Sequence, residues 1–272
     1  MSAVTLSDAE FAQFQRFIFD AAGISLSSAK KALVTGRLAK RVSHHGCASY
    51  TDYLDLVLGG GAKGEMQIAI DLLTTNETYF FREPKHFELL RRLAQQAREA
   101  RRPLRVWSAA CSSGEEVYSI AMVLDDCLGE LGWEVMGSDI STRMLQRARS
   151  GHYPLERTTQ VPQPYLKRYC LRGFGRHEGT LLVERPLRER VQFAQVNLME
   201  SVPRTNAFDV VFLRNVMIYF NGDTKRQVVA RILTALKPGG HLVIGHSENL
   251  NGINDEVRLV APSVYRKPDN AA

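Results

Sequence analysis

The sequence predicts an α/β protein in which a small helical domain precedes a mostly parallel sheet. From Arg105 onward, short apolar segments alternate with amphipathic helical segments, which indicates a parallel sheet covered on both faces. Residues 5–74 show helical periodicity without such alternation, so they form a separate unit. The predicted organisation is a helical domain at 1–74, a linker at 75–104 and the sheet-containing domain at 105–272.

The composition is that of an ordinary globular protein. The chain has 272 residues, of which 44% are hydrophobic and 24% charged, and no apolar run approaches the ~20 residues of a membrane span. The N-terminus lacks the basic and apolar regions of a signal peptide. The four cysteines form no C-x-x-C pair, so neither a zinc site nor a disulfide framework is indicated. We therefore expect a cytoplasmic protein without direct membrane insertion.

Four helices are predicted in the N-terminal domain. Ser7 can cap the first helix and Gly23 ends it, while the third and fourth helices are expected at 50–58 and 65–73. The apolar residues of the first helix are Phe11, Phe14, Ile18 and Phe19.

The second helix is strongly basic and follows a possible cap at Ser27 or Ser28. Its apolar stripe consists of Leu33, Leu38 and Val42. Between residues 29 and 41 it contains no acid, and Arg37 and Arg41, one turn apart, can point the same way. Two interpretations remain open: an ordinary amphipathic helix with solvated cations, or a docking face for an acidic helix.

The linker joins a polar loop to a helix through an aromatic cluster. Residues 75–78 are polar, residues 79–81 are aromatic, and Arg82 follows directly. Pro84 suits the first turn of a helix that extends to about Arg101. Consecutive aromatic residues are usually core, but an arginine at this joint between the domains is a candidate functional residue.

The rest of the chain alternates strands and helices. The segment 151–190 is irregular and rich in Pro, Gly and Arg, with a short hairpin expected in HEGTLLVERPL. A helix is expected to stop at the KPGG sequence 237–240, and VRLVAPSVYRK should form one final strand. The other predicted elements are strands at 105–110, 133–140, 191–198, 208–214 and 241–245, and helices at 115–128 and at 142–150 after Ser141.

The polar residues at the strand ends predict a nucleoside site. Ligands of such sheets bind at the carboxyl ends of the strands, where Asp139 can accept both hydroxyls of a ribose. The loop between the first strand and helix lacks the G-x-G-x-x-G pattern, and Glu115 and Glu116 would repel a pyrophosphate. A cationic nucleoside such as S-adenosylmethionine fits these acids better. Asn197 could contact an adenine edge or simply make a turn.

Charge is distributed unevenly along the chain. Residues 82–105 contain eight basic and three acidic residues, and residues 141–195 contain eleven and four. Residues 106–140 contain seven acids and no base. This pattern suggests an anionic partner, which could be nucleic acid, a membrane surface or an acidic protein, although solvated helix faces without a partner would look similar.

Four blocks of the sequence resemble a known family. In chain order they are TTNETYFFRE, WSAACSSGEEVYSIAM, FDVVFLRNVMIYF and LKPGGHLVIGHSENL. They are similar to the signature blocks of the bacterial chemotaxis-receptor protein-glutamate O-methyltransferases, and the resemblance covers nearly the whole chain. It implies a class I S-adenosylmethionine-dependent methyltransferase sheet (Rossmann-like), a small N-terminal all-helical docking domain, and an inserted antiparallel β subdomain at about 171–190.

The resemblance also implies site residues and a cofactor. Arg82 and Tyr219 match the residues placed nearest to the transferred methyl group, and Glu115 is the less favoured of the two loop acids. The cofactor is S-adenosylmethionine, the product is S-adenosylhomocysteine, and no metal is implied. The implied cofactor-binding residues are Asn76, Thr78, Arg82, Glu116, Asp139, Asn197, Leu198, Arg214 and Asn215.

The implied partners are the cytoplasmic domains of transmembrane chemoreceptors. Arg37 and Arg41 would then belong to the docking face, and a receptor C-terminal tail could add a strand to the β subdomain. A monomer that does not bind nucleic acid is expected. The alternatives are a methyltransferase acting on nucleic acid or on another acidic protein, and a non-catalytic S-adenosylmethionine-sensing adaptor. RNVMIYF lacks the N-P-P-Y-type motif of amine methylation, and an adaptor would have lost Arg82 or Tyr219.

Overall fold

The N-terminal helices pack around aromatic residues. The computed structural model describes residues 4–203 and 208–269, and in this part of the chain Phe14 is fully buried, with its ring centroid 6.2 Å from that of Tyr50. Ser7 and Glu10 form a capping box at the start of the first helix, and Gly23 ends it at φ 70°, as predicted. The four helices are α1 (Asp8–Ala22), α2 (Lys31–His44), α3 (Tyr50–Leu58) and α4 (Glu65–Leu73).

Two details of these helices differ from the prediction. The buried stripe of α2 begins with Val34 rather than Leu33, because Val34 lies one turn before Leu38 on the buried face. Neither Ser27 nor Ser28 caps α2 through its side chain; a 3-10 turn, Ser28–Lys30, precedes the helix instead. In α1, Phe19 is 36% exposed and lies outside the buried face.

The second unit contains two sheets flanked by helices. Its helices are α5 (Pro84–Glu99), α6 (Glu115–Leu128), α7 (Thr142–Ser150), α8 (Gln163–Tyr169), α9 (Arg185–Glu189) and α10 (Gly222–Ala235). Its strands are β1 (Leu104–Ser108), β2 (Trp133–Asp139), β3 (His152–Pro154), β4 (Cys170–Arg172), β5 (Thr180–Val183), β6 (Val191–Gln195), β7 (Phe208–Leu213), β8 (Leu236–Ile244), β9 (Arg258–Ala261) and β10 (Val264–Arg266).

The main sheet has seven strands in the order β6-β2-β1-β7-β8-β10-β9. The first five in this order are parallel, and β10 runs antiparallel to both β8 and β9. Helices cover both faces, since Val106 of β1 packs into the cluster formed with α5 and α6 and Trp107 into the one formed with α10. This arrangement confirms the predicted α/β class with its mostly parallel sheet.

Two strand assignments near the C-terminus were wrong. The KPGG sequence belongs to β8, which begins at Leu236, five residues earlier than expected at 241. A side chain at Gly240 would lie 3.0 Å from the carbonyl oxygen of Asp209 on the neighbouring strand, so only glycine allows this close pairing. The segment predicted as one final strand folds as β9 and β10, because Ser263 turns the chain at φ 57°.

The small sheet is antiparallel, in the order β3-β5-β4. The hairpin expected within HEGTLLVERPL (177–187) was wrong: this segment contains the single strand β5 followed by the start of α9, and β5 pairs with β3 and β4, which precede the segment. The first strand, β3, lies before the predicted 171–190 segment, and α9 occupies most of that segment's end. None of the described helices is long and apolar enough to cross a membrane.

Candidate active site

A cleft of about 880 Å³, its open mouth included, lies at the carboxyl ends of the central strands. This volume is in the range of small-molecule sites. Ten side chains that the sequence singled out all line it. They are Asn76, Thr78, Arg82, Glu116, Asp139, Asn197, Leu198, Arg214, Asn215 and Tyr219. The fold therefore brings residues from four distant sequence blocks to one surface.

The loop between β1 and α6 forms the floor of the cleft. Gly114 has φ 93°, and a Cβ there would lie 2.8 Å from that of Ala148, so the turn requires glycine. Ser112 also has positive φ, at 48°, and its hydroxyl donates to the carbonyl of Asn76 over 3.2 Å. The loop is thus tied directly to the linker that crosses it.

Asp139 ends β2 beside this loop. Its Oδ2 accepts a hydrogen bond from the backbone N–H of Ser112 at 2.8 Å, and its Oδ1 accepts one from Ser141 N–H at 2.9 Å. Burial raises the pKa of Asp139, and these two N–H donors oppose that effect. A carboxylate has about four acceptor positions, so two remain for ligand hydroxyls.

The two loop acids have different environments. Glu116 lines the cleft; its Oε1 accepts from the Ser108 hydroxyl and its Oε2 from Arg214 Nη1, each at 2.7 Å. Glu115 is fully buried away from the cleft, where it lies 3.0 Å from Arg157 Nη2. Burial raises the pKa of Glu115. The geometry therefore favours Glu116, the acid preferred in the sequence analysis.

The linker places Asn76, Thr78 and Arg82 along one wall. Arg157, from the segment after β3, donates to the Thr78 carbonyl at 2.7 Å and so fastens this wall. Arg82 donates to the carbonyl of Glu77 at 2.9 Å, and its guanidinium lies 5.6 Å from the centroid of the Tyr79 ring. Phe80 and Phe81 are buried, as expected of consecutive aromatic residues.

The opposite wall comes partly from the N-terminal domain, which sequence reasoning missed. Ala22 and Ile24 line the cleft, and Ile24 forms a β-bridge with Phe220. The Ser25 N–H donates to the carbonyl of Tyr219 at 2.8 Å. No local signal marks Ala22 or Ile24 as site residues, because only the docking of α1 brings them there.

The Asn197 side chain makes a turn and a domain contact. Its Nδ2 donates to the carbonyl of Ala21 and to Glu200, each at 2.9 Å, while its Oδ1 accepts from the Met199 N–H at 3.1 Å. The sequence left open whether Asn197 contacts an adenine edge or makes a turn, and the observed contacts are those of a turn. Leu198, buried beside it, contributes apolar surface to the cleft.

Comparison with known proteins identifies the family. Residues 76–265 match the family model described as CheR methyltransferase, SAM binding domain, and residues 9–74 match the one described as CheR methyltransferase, all-alpha domain. The chain belongs to the CheR methyltransferase family. A chemotaxis protein methyltransferase of Escherichia coli K12 is 43% identical, covering 96% of this chain and 92% of that protein. Chemotaxis protein methyltransferase 2 of Pseudomonas aeruginosa is 41% identical, covering 94% of this chain and 92% of that protein.

As a member of the CheR family, the chain is an S-adenosylmethionine-dependent methyltransferase, and its cleft fits that cofactor. The carboxylates of Glu116 and Asp139 line the cleft, where their negative charge would attract a cationic nucleoside and repel a pyrophosphate. The apolar side chains of Ile140, Val196 and Leu198 provide a surface on which a planar base can pack.

The two arginines proposed for docking are already engaged within the N-terminal domain. Arg37 donates to the carbonyls of Leu73 and Thr74 at 3.1 and 2.8 Å. Arg41 pairs with the buried Glu65, with 2.8 Å between its Nε and Oε1. Arg37 makes both bonds through Nη1 alone, and 25% of the Arg41 side chain is exposed, so the docking role of these two arginines stays a prediction.

Proposed function

We propose that this protein transfers the methyl group of S-adenosylmethionine to glutamate side-chain carboxylates of chemoreceptors, forming methyl esters in chemotactic adaptation. The observation that carries the proposal is the convergence of the ten predicted side chains on one cleft of a CheR-family fold. The names of the relatives, chemotaxis protein methyltransferases, support a substrate in the chemotaxis system.

A carboxylate nucleophile requires little acid–base chemistry from the protein. With a reference pKa of about 4.3, a glutamate side chain is already ionised near neutral pH. Among the described residues lining the cleft there is no histidine. Bound S-adenosylmethionine supplies a methyl group activated by the positive sulfur. The chain's own task is to align the carboxylate and exclude water, and alignment alone can contribute roughly 7–11 kcal/mol.

Arg82 is suited to hold the substrate carboxylate. Its guanidinium is half-buried at the cleft and donates to a single carbonyl, that of Glu77, so other N–H groups remain for a substrate. A charge-assisted bond to one carboxylate oxygen leaves the other free to attack. A bond that is too strong would stabilise the ground state as much as the transition state, so a half-exposed arginine is appropriate.

Tyr219 is the second proposed catalytic residue. The part of the chain that the structure describes offers its hydroxyl no hydrogen-bond partner, although the ring packs partly buried against the core. The hydroxyl can therefore orient the incoming carboxylate without losing an internal bond.

The proposed partners are the cytoplasmic domains of transmembrane chemoreceptors. In the small sheet, β3 and β4 are edge strands, and beside β4 the side chains of Leu171 and Phe174 are 51% and 87% exposed. A receptor tail could add a strand at that edge and cover these side chains. We expect a cytoplasmic monomer, and we retain α2 as the docking helix through Arg37 and Arg41, together with the exposed Lys40 between them.

The test uses purified protein, methyl-labelled S-adenosylmethionine and receptor-containing membranes. We expect label on the receptor that mild alkali releases, because methyl esters are base-labile. Receptors whose methyl-accepting glutamates are replaced by alanine provide the control and should remain unlabelled. Alkali-stable label, or label transferred to added RNA or DNA in place of the receptor, would contradict carboxyl transfer.

A further inference from the structure

Three side chains of metal-binding type meet beside the cleft, and none of them lines it. Among the described residues, Glu83, His86 and His246 are the one group of three His, Cys, Asp or Glu whose ligand atoms all lie within 4.8 Å of one another. His86 Nδ1 is 3.3 Å from Glu83 Oε2, and His246 Nε2 is 3.8 Å from the same oxygen. Ligand atoms of a tetrahedral ion with bonds of about 2.1 Å lie roughly 3.4 Å apart, so these separations suit a shared ion.

The buried ring of His86 has one nitrogen without a hydrogen-bond partner. Only 2% of the side chain is exposed, and Nδ1 makes no hydrogen bond within the part of the chain that the structure describes. Nε2 lies 3.0 Å from the Ser263 hydroxyl. If Nε2–H donates to Ser263, the Nδ1 lone pair faces the negative Glu83 oxygen with no proton between them. A cation between these two atoms removes the repulsion and gives Nδ1 the partner that buried polar atoms normally have.

The contact with Ser263 also suits a metal-binding histidine. Such a residue usually donates its other ring N–H to a neighbouring polar group, which fixes the tautomer and the orientation of the ring. In the opposite tautomer, Nδ1–H would be a buried donor that is not directed at an acceptor. A cation at Nδ1 therefore accounts for the geometry of both ring nitrogens.

Arg214 contacts the same carboxylate and would support it as a ligand. Its Nη2 lies 3.1 Å from Glu83 Oε2, and its Nη1 lies 2.7 Å from Glu116 Oε2. A carboxylate has about four acceptor positions, and carboxylates that bind a metal are usually hydrogen-bonded by a second group. The charge of this guanidinium is shared with Glu116, which reduces its repulsion of a second cation.

The backbone holds two of the three ligands in place. Glu83 has φ 60° and ψ 71°, a left-handed conformation that persists in a non-glycine residue only where surrounding contacts enforce it. Although Glu83 precedes α5, its side chain does not cap that helix. The backbone N–H of His246 donates to Glu83 Oε2 at 3.2 Å, so the loop after β8 is fixed against the carboxylate. The His246 side chain is 47% exposed, which leaves access for an ion and for water.

We propose that Glu83, His86 and His246 bind a divalent cation of the Zn²⁺ class, with water as the fourth ligand. Two imidazoles and one carboxylate are a donor set that suits zinc, whereas Mg²⁺ prefers oxygen ligands only. The bound ion joins the start of α5 to the loop after β8. The site takes no part in the proposed methyl transfer, for which the sequence implied no metal, so the inference goes beyond that function and does not depend on it.

The test titrates chelator-treated protein with Zn²⁺ by calorimetry at pH 7.5, where an imidazole with the reference pKa of about 6.5 is mostly neutral. We expect one ion per chain at this site, and excess Mg²⁺ should not displace it. His246→Ala should weaken binding by at least about 100-fold, because losing even a group bonded to a ligand costs 10–100-fold. Zn²⁺ should also raise the Tm of the wild type and leave that of His246→Ala unchanged.

His177→Ala is the matched control. His177 is also exposed, and its ring centroid lies 5.7 Å from that of His152, so this pair is a rival surface site for the ion. Its loss should change neither the Zn²⁺ affinity nor the Tm shift. Retained binding in His246→Ala, or an equal loss in His177→Ala, would overturn the proposal.

Two further measurements cover a folding defect in His246→Ala. Glu83→Gln, which removes the negative oxygen and keeps the side-chain shape, should weaken Zn²⁺ binding at least about 10-fold, and wild-type affinity in this variant would contradict the assignment. Co²⁺ bound to His177→Ala should show the strong visible absorption of a four-coordinate ion, and a weak six-coordinate spectrum or no binding would overturn the proposal. Neither cofactor nor receptor is used, so a failure of the proposed methyl transfer leaves these results intact.

Discussion

Backbone strain is concentrated in residues around the cleft. Of the six non-glycine residues with positive φ among those described, Phe81, Glu83, Ser112 and Asn215 adjoin or line it. Such conformations persist only where surrounding contacts enforce them, and they are common at functional sites. Phe81 and Glu83 flank Arg82, so the proposed substrate-binding arginine is held by a rigid backbone turn.

At Arg82 we predict a loss of catalysis with little loss of cofactor binding. Arg82→Ala should lower kcat for receptor methylation by roughly 100-fold or more, because the charge-assisted bond that aligns the carboxylate is removed. The dissociation constant for S-adenosylhomocysteine should change less than about threefold. Radiolabel transfer and calorimetry measure the two quantities.

Arg92→Ala is a suitable control for Arg82, since Arg92 is exposed on α5 and should tolerate the change. Methyl transfer by Arg82→Ala at the wild-type rate would exclude Arg82 from substrate alignment. A parallel collapse of cofactor binding would instead assign it to the cofactor site.

At the scale of elements, α2 has both a structural and a basic face. Arg41 joins α2 to α4 through Glu65, which also accepts a hydrogen bond from the Tyr53 hydroxyl at 2.8 Å. Burial acts to raise the pKa of Glu65, but hydrogen bonds from Arg41, Tyr53 and His45 lower it to about 2. The carboxylate is therefore ionised and dependent on its partners.

Arg41→Ala should destabilise the protein by about 2–4 kcal/mol, because it leaves a buried carboxylate without its cation. Its neighbour Lys40 is exposed, so Lys40→Ala should change the unfolding free energy by less than about 0.5 kcal/mol. Urea unfolding followed by circular dichroism measures both. Equal stability of the two variants would mean that the Arg41–Glu65 pair contributes little to the free energy of unfolding.

At the scale of the whole molecule, the two units meet at the start of α7. Asp71 of α4 is buried there and accepts hydrogen bonds from the Thr142 N–H at 3.0 Å, the Thr142 hydroxyl at 2.8 Å and the Arg143 N–H at 3.1 Å. The N-terminal domain thus satisfies the first turn of a helix in the other unit. Because α7 directly follows Asp139, this contact connects domain docking to the cleft.

Asp71→Ala should lower the free energy of unfolding by about 1–2 kcal/mol, since it removes the acceptor of two part-buried N–H groups in the first turn of α7. It should also weaken S-adenosylhomocysteine binding several-fold, because the start of α7, which follows the cleft residue Asp139, would lose the contacts that fix it. Asp55→Ala, at an exposed position of α3, is the matched control. Unchanged cofactor binding in a destabilised Asp71→Ala variant would show that domain docking and the cleft are independent.

Local pattern was enough for much of the fold. Helices α3, α4, α6 and α7 lie at the predicted bounds, because their caps and apolar spacing are local properties of the chain. The start of β8 was missed because glycines inside a strand resemble a turn unless the neighbouring strand is known. The split into β9 and β10 was missed because the turn at Ser263 uses a positive φ that is uncommon for a non-glycine residue. The apolar stripe of α2 was misplaced by one residue because two adjacent apolar residues, Leu33 and Val34, compete for the buried face.

The sequence by itself determined the α/β class, the order of the elements and which polar residues end the strands. These features depend on periodicity and short-range capping, so they can be inferred from residues that are close together in the chain. Only the tertiary structure decided which charges are paired: Arg41 with Glu65, Glu115 with Arg157, and Arg214 with both Glu83 and Glu116. Pairing depends on packing between elements far apart in the chain, and for the same reason the cleft wall supplied by α1 could not be foreseen.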